Sequence, residues 1–63
     1  MEELGEKIKR LMREQNITQE ELEKRTGITQ SFISQIINNK KKPGYDNILK
    51  LATALRVNVG ELF

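Results

Sequence analysis

Thr18-Gln19-Glu20-Glu21-Leu22-Glu23-Lys24-Arg25-Thr26-Gly27-Ile28-Thr29-Gln30-Ser31-Phe32-Ile33-Ser34-Gln35-Ile36-Ile37-Asn38-Asn39 is the stretch that decides the fold. Thr18 followed three residues later by Glu21 is a capping box, which opens a helix by satisfying its first free N–H groups. Gly27 stops that helix about two turns on, because a glycine takes the left-handed terminal conformation without penalty. Thr29 can cap a second helix, and Ile33, Ile36 and Ile37 recur on one face of it. Asn38-Asn39 then ends it, Asn being the non-glycine residue that best tolerates a positive φ. The stretch therefore predicts two short helices joined by a turn of about four residues with a glycine in it.

Upstream, Glu2 to Gln15 carries Leu4, Ile8, Leu11 and Met12 at helical spacing, with Lys7, Lys9, Arg10 and Arg13 left for water. Asn16-Ile17 breaks that pattern. Downstream, Lys40 to Pro43 reads as a loop, and a fourth helix is predicted over 45–55 with Ile48, Leu51, Ala52 and Leu55 inward. Asn58 can cap a last single turn ending in Leu62 and Phe63. There is no period-2 alternation, repeat or low-complexity linker. The expectation is an all-α fold: one compact domain over residues 1–63, built from five short helices.

The chain has 63 residues with no Cys and no His. Disulfides, thiolate chemistry and the usual Cys/His zinc sites are excluded, so no metal or cofactor is expected. No glycine-rich phosphate loop or carboxylate pair in an apolar setting stands out, and so small a domain leaves little room for a cleft; no catalytic residue is assigned and no small-molecule substrate is expected. No apolar run approaches the ~20 residues that span a bilayer. Met1-Glu2-Glu3 lacks the basic-then-apolar order of a signal peptide, and a cytoplasmic setting is the expectation. Net charge is only +2. Its distribution is more telling: from Arg25 to Tyr45 there is no Asp or Glu, while Arg25, Lys40, Lys41 and Lys42 are positive. One acid-free basic stretch on a near-neutral body is what a phosphate backbone attracts.

A tight helix–turn–helix pair places its second helix as a reader of the DNA major groove. With Ile33, Ile36 and Ile37 pointing inward and 100° per residue, Ser31, Gln35 and Asn38 fall within roughly 35° of straight outward, flanked by Phe32 and Ser34. Amides and hydroxyls pair with base edges, and Gln can grip adenine through two hydrogen bonds. The plain alternative is a merely solvated polar face.

Thr18–Leu22, Gly27–Ile36 and Asn39–Pro43 together resemble the phage repressor and Cro-type family, as does the closing Ala54-Leu55-Arg56-Val57-Asn58-Val59-Gly60-Glu61-Leu62-Phe63. The resemblance runs from Leu4 to Phe63. It implies a lambda-repressor-like domain that binds double-stranded DNA sequence-specifically in a prokaryotic or phage-type transcriptional regulator. It puts Gln30, Ser31 and Gln35 at base-reading positions. Phe32 is then open to two readings, contact with a thymine methyl or half-buried packing against the preceding helix. Gln19, at a helix N-terminus, offers an amide and backbone donors to a phosphate. Thr29, Asn38 and the loop lysines Lys40, Lys41 and Lys42 complete the expected backbone contacts, although lysines there could also simply keep a loop solvated. A homodimer on a palindromic operator is expected, since paired half-sites are usual, with Val57, Val59 and Phe63 as its candidate surface. The rival reading is a protein-interaction module, adaptor or antitoxin-like, on the same fold.

Three departures from the family's pattern stand out, the third of them a pair. Glu23 stands where a small residue is usual, so its carboxylate must reach solvent or a cation. Asn39 stands where glycine is commoner. Met12 and Ile37 replace an Arg and a Glu that often form a buried ion pair; two apolar residues there are commonly neutral or stabilising.

Overall fold

Two of the four α-helices start at side-chain caps, and all four stop where a backbone N–H closes the last turn. The computed structural model describes residues 2–63 and contains four α-helices: α1 (Leu4–Gln15), α2 (Gln19–Thr26), α3 (Gln30–Ile37) and α4 (Tyr45–Ala54). Thr18 Oγ1 accepts from Glu21 N at 3.1 Å, and Thr29 Oγ1 from Phe32 N at 3.3 Å, so both expected caps form. The return half of the capping box does not, because Glu21 Oε2 instead accepts from Arg25 Nε at 3.3 Å.

The C-terminal ends share one device. Asn16, Asn39 and Arg56 all adopt left-handed backbone, with φ of 55, 59 and 59°. Each lets the next residue reach back: Ile17 N to Met12 O, Lys40 N to Gln35 O and Val57 N to Ala52 O, at 2.8–3.0 Å. This is the Schellman closure of the last free carbonyls. Gly27, at φ 77°, ends α2 more simply, donating to Glu23 O at 2.7 Å.

The fold differs from expectation at its end. In place of a fifth helix there is a single 3-10 turn, Val59–Glu61. Asn58 occupies its N-cap position but makes no side-chain cap; its carbonyl accepts from Glu61 N at 2.9 Å. Three residues with Gly60 in the middle have no apolar stripe to bury, so one i→i+3 closure is all the segment sustains. Leu62, 3% exposed, anchors it to the core.

One cluster forms the core, with Ile8, Leu22, Ile33, Ile36, Leu51 and Leu55 buried most completely. Met12 and Ile37 are buried in it too, as their place on the helical wheels requires. Helix α3 packs on α1 and α2, α2 also packs on α4, and α4 on the 3-10 turn; the backbones of α3 and α4 stay apart, although side chains of both join the one core. Among the described residues no buried side-chain nitrogen or oxygen lacks a partner.

Gly5 lets the end of α3 come close to the start of α1. A Cβ there would lie 2.6 Å from Ile36 O and 2.7 Å from Asn39 Oδ1, and nearer still to Ile37 O. Glycine is needed at this point because the end of α3 occupies the space a side chain would fill.

Candidate nucleic-acid interface

The turn that sets α3 against α2 comprises residues 27–29, and three side-chain or backbone devices fix it. Buried Thr26 donates its hydroxyl to Leu22 O at 2.8 Å and accepts from Ile28 N at 3.1 Å. Gly27 supplies the left-handed step and Thr29 caps α3. Sequence reading missed Thr26; its signal was a hydroxyl one residue before the helix-ending glycine, where Ser and Thr bond back to the preceding turn.

Helix α3 has eight residues, about 12 Å at 1.5 Å per residue. Its diameter of about 10–12 Å suits a major groove about 12 Å wide. Ile33, Ile36 and Ile37 are buried and none of its side chains is charged. Gln30 and Ser31 are exposed, while Phe32, Ser34 and Gln35 are half-buried. Phe32 packs against the core with part of its ring outside. Gln35 is less open than the helical wheel suggests, because the following loop folds back on it: Lys40 N and Lys41 N both donate to its carbonyl, at 2.8 and 3.3 Å.

That fold-back ties the backbone of the lysine loop to the last turns of α3. Lys40, Lys41 and Lys42 are all exposed, and none forms an ion pair among the described residues. Thr29 spends a lone pair on Phe32 N, which leaves its hydroxyl hydrogen free to donate. Asn38 is exposed, but its Nδ2 already donates to Ser34 O at 2.9 Å and to Ser34 Oγ at 3.5 Å, so a phosphate would have to compete for it. Gln19, half-buried, is the first residue of α2. The backbone donors of that first turn face outward by default, since a helix cannot use them itself.

Arg25 does not join the cations of the acid-free stretch. Its Nη1 donates to Ala54 O at 3.2 Å and its Nε to Glu21, which ties α2 to the end of α4. Gln15 Nε2 donates to Leu55 O in the same place, so α1 holds that end as well. Half-buried Glu23 has no ion-pair partner among the described residues, and α2 and α3 pack together with it in place.

Of the residues expected at a subunit contact, Phe63 is 65% exposed, whereas Val57 and Val59 are half-buried against the core. Two apolar residues absent from that expectation are exposed instead: Tyr45 at 60% and Leu49 at 37%. They lie at i and i+4 on α4, and the Tyr45 ring stacks on Phe63 at 6.1 Å between centroids. Leu49 lies off the Ile48–Leu51–Leu55 stripe, and that mismatch was its legible signal.

Among the described residues no helix is long and apolar enough to cross a membrane.

The family model described as helix-turn-helix matches residues 8–62. The chain is 37% identical over 59 residues to an uncharacterized HTH-type transcriptional regulator, y4dJ, of Sinorhizobium fredii, covering 94% of this chain and 77% of that protein. Its structure is similar, with a TM-score of 0.91 and 32% identity, to the restriction-modification controller protein C.AhdI from Aeromonas hydrophila, covering 95% of this chain and 91% of that one. The chain belongs to the helix-turn-helix family, in its phage repressor and Cro-like branch. It is a sequence-specific DNA-binding transcriptional regulator.

Proposed function

We propose that α3 is the recognition helix and lies in the major groove of double-stranded DNA, with Gln30, Ser31 and Gln35 at base edges and the outer part of Phe32 beside them. One observation carries this reading. The exposed face of α3 bears amides and hydroxyls without a charge, while the loop that follows, tied to the Gln35 carbonyl through Lys40 and Lys41, carries three lysines without ion pairs among the described residues. Base edges want directional donors and acceptors, and phosphates want cations. Gln19, Thr29, Asn38, Lys40, Lys41 and Lys42 then contact the backbone, Thr29 through its free hydroxyl hydrogen. The protein-interaction alternative is less well supported, because the exposed apolar side chains sit on α4 and the C-terminal segment, away from α3.

In this reading residues 1–63 are one domain acting in the cytoplasm, with no reaction to catalyse. Two copies meet through Tyr45, Leu49 and Phe63, with Val57 and Val59 contributing their exposed edges. Two-fold symmetry then gives a palindromic operator, its half-sites about 34–36 Å apart or a multiple of that.

The test is selection of a binding site from a random DNA pool, followed by Gln35→Ala and Gln30→Ala. A two-bond contact to a base edge discriminates by ~1–3 kcal/mol. Each variant should lose that much affinity for the selected site and relax preference at one base pair per half-site. Neither side chain can neutralise a phosphate, so binding to random DNA and its salt dependence should stay nearly the same. If both variants keep the wild-type ratio of selected to random binding, α3 is not the reader.

A further inference from the structure

We infer that Asn39 is a positioning residue for DNA binding: it locks the Lys40–Lys42 loop and the end of the reading helix in one register against α1. The inference rests on the DNA interface proposed above. Two hydrogen bonds end on this residue, and its backbone turn sets up two more. Its backbone, left-handed at φ 59°, donates to Ile36 O at 3.0 Å and turns the chain so that Lys40 N and Lys41 N reach Gln35 O. Its side-chain Oδ1 accepts from Gly5 N, 34 residues away in sequence, at 3.0 Å.

The last bond supplies something α1 lacks. Glu3, at the N-cap of α1, makes no side-chain cap. The first N–H groups of a helix have no partner within it, and Asn39 satisfies one of them from the far end of the motif. Gly5 makes this possible, since any Cβ there would collide with Asn39 Oδ1 and the α3 carbonyls. Asn39 thus stands between a residue placed to read bases, Gln35, and residues placed to hold phosphates. A turn of the backbone at 39 would swing the lysines relative to Gln35, and the Gly5 bond is what resists it.

Asn39→Gly separates positioning from stability. Glycine adopts the left-handed conformation more readily than Asn, which offsets the lost bond, so the melting temperature should change by only a few degrees. The Gly5 amide should exchange with solvent faster. With the loop loosened, the salt dependence of DNA binding should become shallower by about one neutralised phosphate, 0.9 in log K per log salt. At 0.1 M salt that corresponds to about an eightfold loss of affinity. The control replaces Lys40, Lys41 and Lys42 together by Ala. If the control loses affinity and slope while Asn39→Gly keeps both, the inference is overturned and the interface stands. If the control changes nothing, the interface reading fails, and the inference with it. A further measurement needs no variant: in the unmodified protein, DNA should slow exchange of the Gly5 amide. Equal exchange in free and bound protein overturns the inference even if Asn39→Gly does not fold.

Discussion

Gly5→Ala tests whether α1 and α3 are as close as described, because local and tertiary physics predict opposite signs. Within a helix, Ala is more favourable than Gly by up to about 1 kcal/mol. If α1 packed loosely at its start, the substitution would stabilise the protein. In the structure the new methyl would stand 2.6 Å from Ile36 O and 2.7 Å from Asn39 Oδ1, with Ile37 O closer. Two of those three atoms are backbone at the end of α3, which cannot turn aside as a flexible side chain would. Overpacking of this kind costs ~1–3 kcal/mol, and the upper end applies where backbone must move. Displacement also breaks the Gly5 N–H bond to Asn39, worth about 1 kcal/mol net. With the gain in helix propensity subtracted, the balance is a loss of about 2–3 kcal/mol. In a domain this small each kcal/mol moves the melting temperature by about 4–8 °C, so thermal unfolding followed by circular dichroism should show a fall of about 10–20 °C. A melting temperature equal to or above that of the parent would refute the close approach.

Met12→Arg should destabilise by about 3 kcal/mol or more, because it puts an unpaired charge into a site now 7% exposed. Adding Ile37→Glu should recover much of that by pairing the charge; additive losses in thermal melts would show that the two side chains do not meet. Arg56→Gly should raise stability by up to about 1 kcal/mol, since Arg56 holds a left-handed conformation that glycine adopts freely; a lower melting temperature would show that the Arg56 side chain contributes more than its backbone costs. Tyr45→Ser with Leu49→Ser should shift sedimentation towards the monomer and weaken binding to a two-half-site operator more than to one half-site. Unchanged sedimentation would move the subunit contact elsewhere.

The parts legible in the sequence were those decided within a few residues. Thr18, Gly27, Thr29 and the backbone turn at Asn39 each involve groups no more than five positions apart, so caps and ends could be read in order. The inward stripes were equally local, which is why the four helices and their buried faces were foreseen. Partners distant in sequence were not. Arg25 read as one more cation in a basic stretch, yet its partner Ala54 lies 29 residues on. Gly5 looked like an ordinary residue in a charged helix until Asn39 arrived beside it. The last turn misled for another reason: an N-cap residue and two terminal apolar residues suggest a helix, but the run between them is too short for an α-helical bond ladder.

The separation of the α3 and α4 backbones, each seated on α2, suggests a division of work in the domain proposed above. The side chains placed to choose bases lie on α3. The exposed apolar residues placed to join two copies lie on α4 and the closing segment. What links these regions is α2, seated on both, with Arg25 clamped to the last turn of α4. In the proposed dimer, the distance between the two reading helices is therefore set by α2 and α4, and the letters read are set by α3. On this proposal, substitutions at Gln30, Ser31 or Gln35 would rewrite the recognised half-site without altering the gap between half-sites. Changes at Arg25 or along α4 can do the reverse. The proposed arrangement would make vocabulary and spacing separately editable in these 63 residues.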